Sequence, residues 1–223
     1  MENTSVDLKF EDYKAELRAC QKKEEIISVY ERWDNYEEQT VGKMPNRQHV
    51  GAAVFQAQYG NKKKDIRILD AGAGTGLGAE ELVKLGFSNI DALEPSENLA
   101  RQALKKNIYK KWYKAFMCKD RLPIDDGVYD VVYAIGVFSP GHAKEDCFEE
   151  LIRILKPGGQ IMIVTAAIYF THPLMANIEP RILELEKEGI LIYRGKRTVP
   201  DYHTDPTNLT DGAILILEKP MIN

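Results

Sequence analysis

The run Asp70-Ala71-Gly72-Ala73-Gly74-Thr75-Gly76-Leu77-Gly78 follows directly on the short apolar stretch Ile66–Asp70. Glycines at 72, 74 and 76 remove side chains where a backbone must turn sharply and approach a ligand closely. Twenty-two positions beyond Gly72, Glu94 closes a second apolar run, Ile90–Leu93. A carboxylate at that spacing can accept hydrogen bonds from a ribose diol. Strand, glycine turn, helix, strand and acid together describe a nucleoside-binding half rather than a loop that is only structural.

Two kinds of nucleoside compete for such a site. A nicotinamide or flavin dinucleotide would set its pyrophosphate over the helix N-terminus. The string fits that pattern through Gly74, Gly76 and Ala79 only by starting four residues after Asp70, which itself would put negative charge beside the phosphates. S-adenosylmethionine suits the residues better, because its sulfonium, α-ammonium and diol all favour nearby carboxylates.

The elements that must position these residues alternate along the chain. Apolar β-rich runs fall at 66–70, 90–93, 115–118, 130–137, 160–167, 190–194 and 213–218, with amphipathic helical patterns at 80–85, 97–109, 144–156 and 177–187. Ser96 is placed to cap the second of these helices, with Leu99, Ala103 and Leu104 on its buried face. Gly86 is placed to end the first. Continuous apolar strands between amphipathic helices predict an α/β, doubly wound, mostly parallel seven-stranded sheet covered on both faces. The polar stretch before the last strand predicts an antiparallel return there instead of a crossover helix. Ahead of the sheet, Val6 to Tyr36 reads as one long helix and 49–59 as a shorter one, so residues 1–60 are expected to form a helical extension and 61–223 the core.

ILDAGAGTGLGAEEL resembles the first motif of class I S-adenosylmethionine-dependent methyltransferases, and Asp91-Ala-Leu-Glu94-Pro-Ser their second-strand acid. Leu122-Pro-Ile-Asp-Asp-Gly-Val-Tyr-Asp130-Val-Val is similar to their approach to strand four, and Glu150-Leu-Ile-Arg-Ile-Leu-Lys-Pro-Gly-Gly159 to their helix and turn before strand five. Tyr30-x-x-Trp33-x-x-Tyr36 and Gly136-Val-Phe-Ser-Pro-Gly-His142 further resemble the Williams–Beuren syndrome region methyltransferase-like proteins. The resemblance implies a Rossmann-like fold, S-adenosyl-L-methionine as cofactor and methyl transfer by in-line displacement, with no metal. It implies that Asp70 and Ala71 fix the glycine loop near the methionine ammonium, and that Gly72, Gly74 and Gly76 let the cofactor lie on the backbone. Glu94 would take both ribose hydroxyls and Pro95 would face the adenine. Cys118 and Lys119 would flank the adenine edge, and Ile135 and Gly136 would border the methionine tail. Many relatives carry an Asp at the position of Cys118, and a thiol is a poor acceptor; Asp120 is the substitute if the loop shifts.

Alignment of nucleophile, methyl and sulfur is the main task in such a displacement, and a general base is optional. His142 lies near the end of strand four and is the candidate base; the alternative is an exposed loop histidine. His172 and His203 fall in segments that would ring the site. Tyr30, Trp33 and Tyr36 recur every three residues and would share one helical face, as a lid over the cofactor or as a buried stripe. The basic, aromatic stretch Arg101 to Arg121 reads as a solvated face rather than an RNA surface, and Gly136-Val-Phe-Ser-Pro lacks the Asn/Asp-Pro-Pro-aromatic turn used on nucleic-acid amino groups. A small-molecule acceptor is therefore expected, with a protein side chain as the alternative. A non-catalytic cofactor-binding protein and an NAD(P)-dependent oxidoreductase are the other function classes.

The 223 residues carry a formal charge of −4 and 44% hydrophobic residues, which argues against a dedicated nucleic-acid binder or a disordered chain. Three dispersed cysteines, Cys20, Cys118 and Cys147, give neither a disulfide framework nor a zinc cluster and fit a reducing, cytoplasmic setting. The start has no secretory pattern, and no apolar run approaches the length of a membrane span.

Overall fold

The computed structural model describes residues 9–44, 46–203 and 210–221. Seven strands, β1 (Ile68–Ala71), β2 (Ile90–Leu93), β3 (Trp112–Tyr113), β4 (Tyr129–Ile135), β5 (Leu155–Ala166), β6 (Ile192–His203) and β7 (Thr210–Glu218), form one sheet in the order β3-β2-β1-β4-β5-β7-β6. The first five run parallel, while β7 is antiparallel to both β5 and β6. The sequence order reverses between β1 and β4, and beyond the carboxyl ends of these strands lies the crevice where open α/β sheets bind ligands.

The apolar strands sort their side chains by twos. Leu69, Val132, Ala134, Ile161 and Ile163 face one core together with Leu151 and Ile182. Ile68, Val131, Tyr133, Met162 and Val164 face another with Phe55 and Leu82. A strand buried on both sides reads as a continuous hydrophobic run because successive side chains point to opposite faces. Helices α4 (Arg47–Tyr59) and α5 (Leu77–Lys84) cover the second face; α7 (Phe148–Ile154) and α8 (Ile178–Lys187) cover the first. On α6 (Glu97–Lys105) the Ser96 hydroxyl accepts from the Leu99 N–H at 3.3 Å, the expected cap. Leu104 departs from expectation, being 40% exposed.

At the N-terminus the single long helix gives way to three: α1 (Phe10–Ala19), α2 (Lys23–Glu31) and α3 (Tyr36–Lys43); the expected first residues, 6–8, lie outside the described ones. Gln21-Lys-Lys-Glu-Glu25 offers nothing apolar to bury, and the Glu25 carboxylate caps α2 by accepting the Gln21 and Lys22 N–H groups at 2.7 and 3.2 Å. Tyr30, Trp33 and Tyr36 therefore do not share a helix face. Tyr30 ends α2, Trp33 lies in the turn, Tyr36 opens α3, and the turn folds their rings together.

Other boundaries moved for local reasons. β3 is Trp112–Tyr113 and not 115–118, because pairing of Ala92 with Trp112 and Leu93 with Tyr113 sets its register. The expected helix over 144–156 is a 3-10 turn, Glu145–Cys147, followed by α7, and β5 already begins at Leu155. Pro157-Gly158-Gly159 is an irregularity inside that strand, with Gly158 at φ +74. β6 extends through His203, and Pro200 is tolerated because β6 is an edge strand. The return to β7 is antiparallel as expected, though residues 204–209 lie outside the described ones. No described helix is long and apolar enough to cross a membrane.

Candidate functional site

β1 ends on Asp70 and Ala71, both buried, and the chain then turns left-handed at Gly72, Gly74 and Gly76. The Gly72 and Ala73 N–H groups donate to the Leu93 carbonyl at 2.9 and 3.1 Å, tying the loop to the end of β2. A Cβ at Gly72 would sit 2.6 Å from Val137 Cγ2, so φ +75 and space both demand glycine. Gly72→Ala is expected to cost about 1–3 kcal/mol of stability, readable as a lower urea midpoint at unchanged m-value; an unchanged midpoint would show that the loop yields freely.

Glu94 reaches across from β2. One carboxylate oxygen accepts the Gly74 N–H and the other the Ser96 N–H, each at 2.9 Å. Burial pushes its pKa up to about 7 despite these bonds, with the nearby Asp70 and Glu31 charges adding to the rise. Asp70 accepts the Tyr109 hydroxyl at 2.6 Å, and burial raises it to about 6. Two buried acids thus face the glycine loop, each held by neutral donors and neither by a cation.

The N-terminal helices roof this crevice. Glu31 accepts the Glu97 N–H at 2.6 Å and approaches that of Asn98, supplying negative charge at the N-terminus of α6. Asn98 Nδ2 donates to the Tyr30 carbonyl at 3.2 Å, and Lys106 joins Glu37 and Glu80 at 3.0 and 2.8 Å. Beneath the roof is a cleft of roughly 900 Å³ bordered by the loop, Glu94, Pro95, Ile135, Gly136 and Tyr30.

His142 lines the cleft too, and it is half-buried instead of an exposed loop residue. Its Nδ1 lies 3.1 Å from the Pro140 carbonyl and 2.9 Å from Ser139 Oγ, while Nε2 bonds the Tyr30 hydroxyl. A carbonyl only accepts, so the proton belongs on Nδ1 and Nε2 accepts from Tyr30. Burial, then the Lys14 and Arg47 charges, lower the His142 pKa to about 3. The ring is neutral at physiological pH and a weak base.

Of the remaining sequence candidates, Trp33 is fully buried in the roof's own core, Ala71 lies beneath the loop, and Gly76 backs onto Ile108 and Tyr109. Cys118 and Lys119 line a neighbouring hollow with Lys23 and Asp120, which pair with each other; Phe116 and Met117 border the main cleft where those two were expected. His172 accepts the Leu174 N–H at 3.2 Å and starts a 3-10 turn, and the side chain of His203 lies outside the described residues. Sequence reasoning passed over Arg47 and Gln48 at the start of α4, and Thr75, whose buried hydroxyl has no hydrogen-bond partner among the described residues. An orphaned hydroxyl beside a glycine cradle is the kind of polar group a ligand completes.

A methyltransferase-domain family profile matches residues 69–163. Human methyltransferase-like protein 27 is 24% identical over 165 residues, 74% of this chain and 67% of that protein. Matches to further curated relatives span less than half of their length. Among solved structures, the methyltransferase in a Haloferax volcanii complex with the Trm112 activator superposes with a TM-score of 0.63 at 18% identity, covering 86% of this chain and 97% of that one. The Burkholderia thailandensis 1,6-didemethyltoxoflavin-N1-methyltransferase, with its substrate and S-adenosylhomocysteine bound, gives 0.60 at 16% identity, covering 94% and 90%. Structural likeness at such identities establishes the fold; the acids, the glycine loop and the roofed cleft are this chain's own.

Proposed function

We propose that this chain, a member of the class I S-adenosylmethionine-dependent methyltransferases, moves a methyl group from S-adenosylmethionine to a small-molecule acceptor enclosed beneath the N-terminal helices. The observation that carries the reading is Glu94: a buried carboxylate, anchored by two backbone N–H groups, at the rim of a side-chain-free loop. The residues fit the cofactor, since a carboxylate has lone pairs left for a diol after two N–H bonds, and a Cβ added at Gly74 would meet only Tyr36, at 3.8 Å. Glu94 and Pro95 would hold the nucleoside, Gly72, Ile135 and Gly136 the amino-acid end, and Phe116 and Met117 the adenine face. The bound sulfonium supplies an activated methyl group.

The protein's own contribution is position and dryness. Tyr30, its proton committed to His142, presents its oxygen as an acceptor at the roof. His142 is thus a positioning residue for Tyr30, and the roof excludes water from the line of transfer. A labelled methyl group offered with a cell extract should appear in the small-molecule fraction with wild type and not with Glu94→Ala. Label in protein instead would move the acceptor class, and a wild type that binds the cofactor but labels nothing would leave a binding protein.

The raised acids give the binding a pH dependence. In the ligand-free protein, burial favours the protonated carboxyls, a contribution to stability complete below about pH 4 and lost as pH climbs through about 6 and 7. Binding pulls the other way, because the ionised Glu94 is the better acceptor for the diol. Affinity for S-adenosylhomocysteine is expected to rise nearly tenfold between pH 6 and 7.5, with proton release visible by calorimetry in buffers of different ionisation enthalpy. A flat profile would count against Glu94 as the diol's acceptor.

A further inference from the structure

Four of the described arginines are neither exposed nor at the surface rim: Arg47, Arg67, Arg153 and Arg181. Arg67 pairs with Asp91, Arg153 with Glu150, and Arg181 with Glu149. Arg47 has no carboxylate partner among the described residues. Its Nε is sealed from water with no hydrogen-bond partner there, and its Nη1 meets only the Met44 sulfur, at 3.8 Å. The phenols of Tyr36, Tyr169 and Tyr202 surround it. Its place is fixed by Gly136, where an added Cβ would lie 2.8 Å from Nη1. The guanidinium therefore borders the cleft at the end of β4, on the wall formed by α4, away from the acids.

A second cation strengthens the local field. Lys14, half-buried on α1, makes no ion pair among the described residues, and the charges of Lys14 and Arg47 both act on His142. A desolvated guanidinium without a counter-charge is costly, and its planar fork matches a carboxylate through two parallel N–H bonds. The cleft is thus acidic at the glycine loop and cationic at the opposite wall.

We propose that Arg47 is a carboxylate receptor of this cleft, taking the amino-acid end of the cofactor or an acidic group of the acceptor. This rests on the cleft being an S-adenosylmethionine site. Arg47→Met and Arg47→Lys are titrated with S-adenosylhomocysteine and with 5′-methylthioadenosine, which keeps the nucleoside and thioether but lacks the amino-acid end; benzoate is then titrated into the S-adenosylhomocysteine complexes. A loss of tenfold or more for S-adenosylhomocysteine in Arg47→Met, with methylthioadenosine unchanged and partial recovery in Arg47→Lys, assigns the carboxylate to the cofactor. Unchanged nucleoside binding with benzoate affinity lowered as much assigns it to the acceptor. Equal losses for both nucleosides, which mark a merely structural role or a misfolded variant, overturn the proposal, as does no change in any ligand. A wild type that binds neither nucleoside overturns the underlying cofactor reading, and that is seen before any substitution is made.

Discussion

Glu94→Ala is expected to weaken S-adenosylmethionine binding about 30- to 150-fold, the roughly 2–3 kcal/mol lost when a charged hydrogen-bond partner is removed from a buried site. The carboxylate is only 5% exposed, and each oxygen already holds one loop N–H. Alanine therefore removes the acceptor for the ribose and also frees the Gly74 and Ser96 amides that shape the rim. Glu94→Gln separates the two effects. It keeps the size, yet its amide NH2 must face one of those two donors, so it should lose nearly as much affinity. Both variants are expected to stay folded at pH 8, because removing an acid whose pKa burial has raised relieves a desolvation penalty while orphaning two N–H groups. Isothermal calorimetry reads the affinity, and the urea midpoint checks the fold. Wild-type affinity in either folded variant would mean that the nucleoside sits elsewhere.

The half of the site built from local sequence was legible, and the half built by tertiary contact was not. Ile68 to Glu94 positions its own chemistry: a strand, a turn only glycine can make, a helix and a second strand follow in order. The sheet and its antiparallel return were equally readable, since runs such as Ile161–Val164 bury both faces and admit few alternatives. Arg47 was hidden because an arginine opening an amphipathic helix reads as a surface residue; only Gly136 and the tyrosines around it show otherwise. The three-residue spacing of Tyr30, Trp33 and Tyr36 suggested one helix, when the shared ring cluster comes from a turn between two. Cys118 and Lys119 were placed by counting from a strand that pairs a few residues earlier, at Trp112 and Tyr113. His142 needed Tyr30, 112 residues away, to be recognised as a held group.

Trp33→Ala tests whether the roof matters to the cleft. Trp33 is fully buried, stacked on Tyr13 at 4.4 Å and edge-on to Tyr36 at 5.0 Å, with its Nε1 donating to Gln39 at 2.9 Å. Replacing a buried tryptophan by alanine costs about 3–5 kcal/mol, here concentrated in a cluster of Phe10, Tyr13, Leu17, Ile26, Val29 and Met44 that is separate from the two sheet cores. A loss that large should open α1–α3 as a unit while the sheet stays folded. Limited proteolysis is expected to cut within residues 20–44 far faster than in wild type and to leave the remainder resistant. Tyr30 and Tyr36 would leave the cleft with the roof, so affinity for S-adenosylhomocysteine should fall in parallel, and saturating ligand should slow the cleavage by drawing the roof closed. Uniform degradation of the whole chain would show that the layer and the sheet unfold together. Rapid cleavage with unchanged affinity would show that the N-terminal helices cover the cleft without contributing to binding, and the transfer step would then need another means of excluding water.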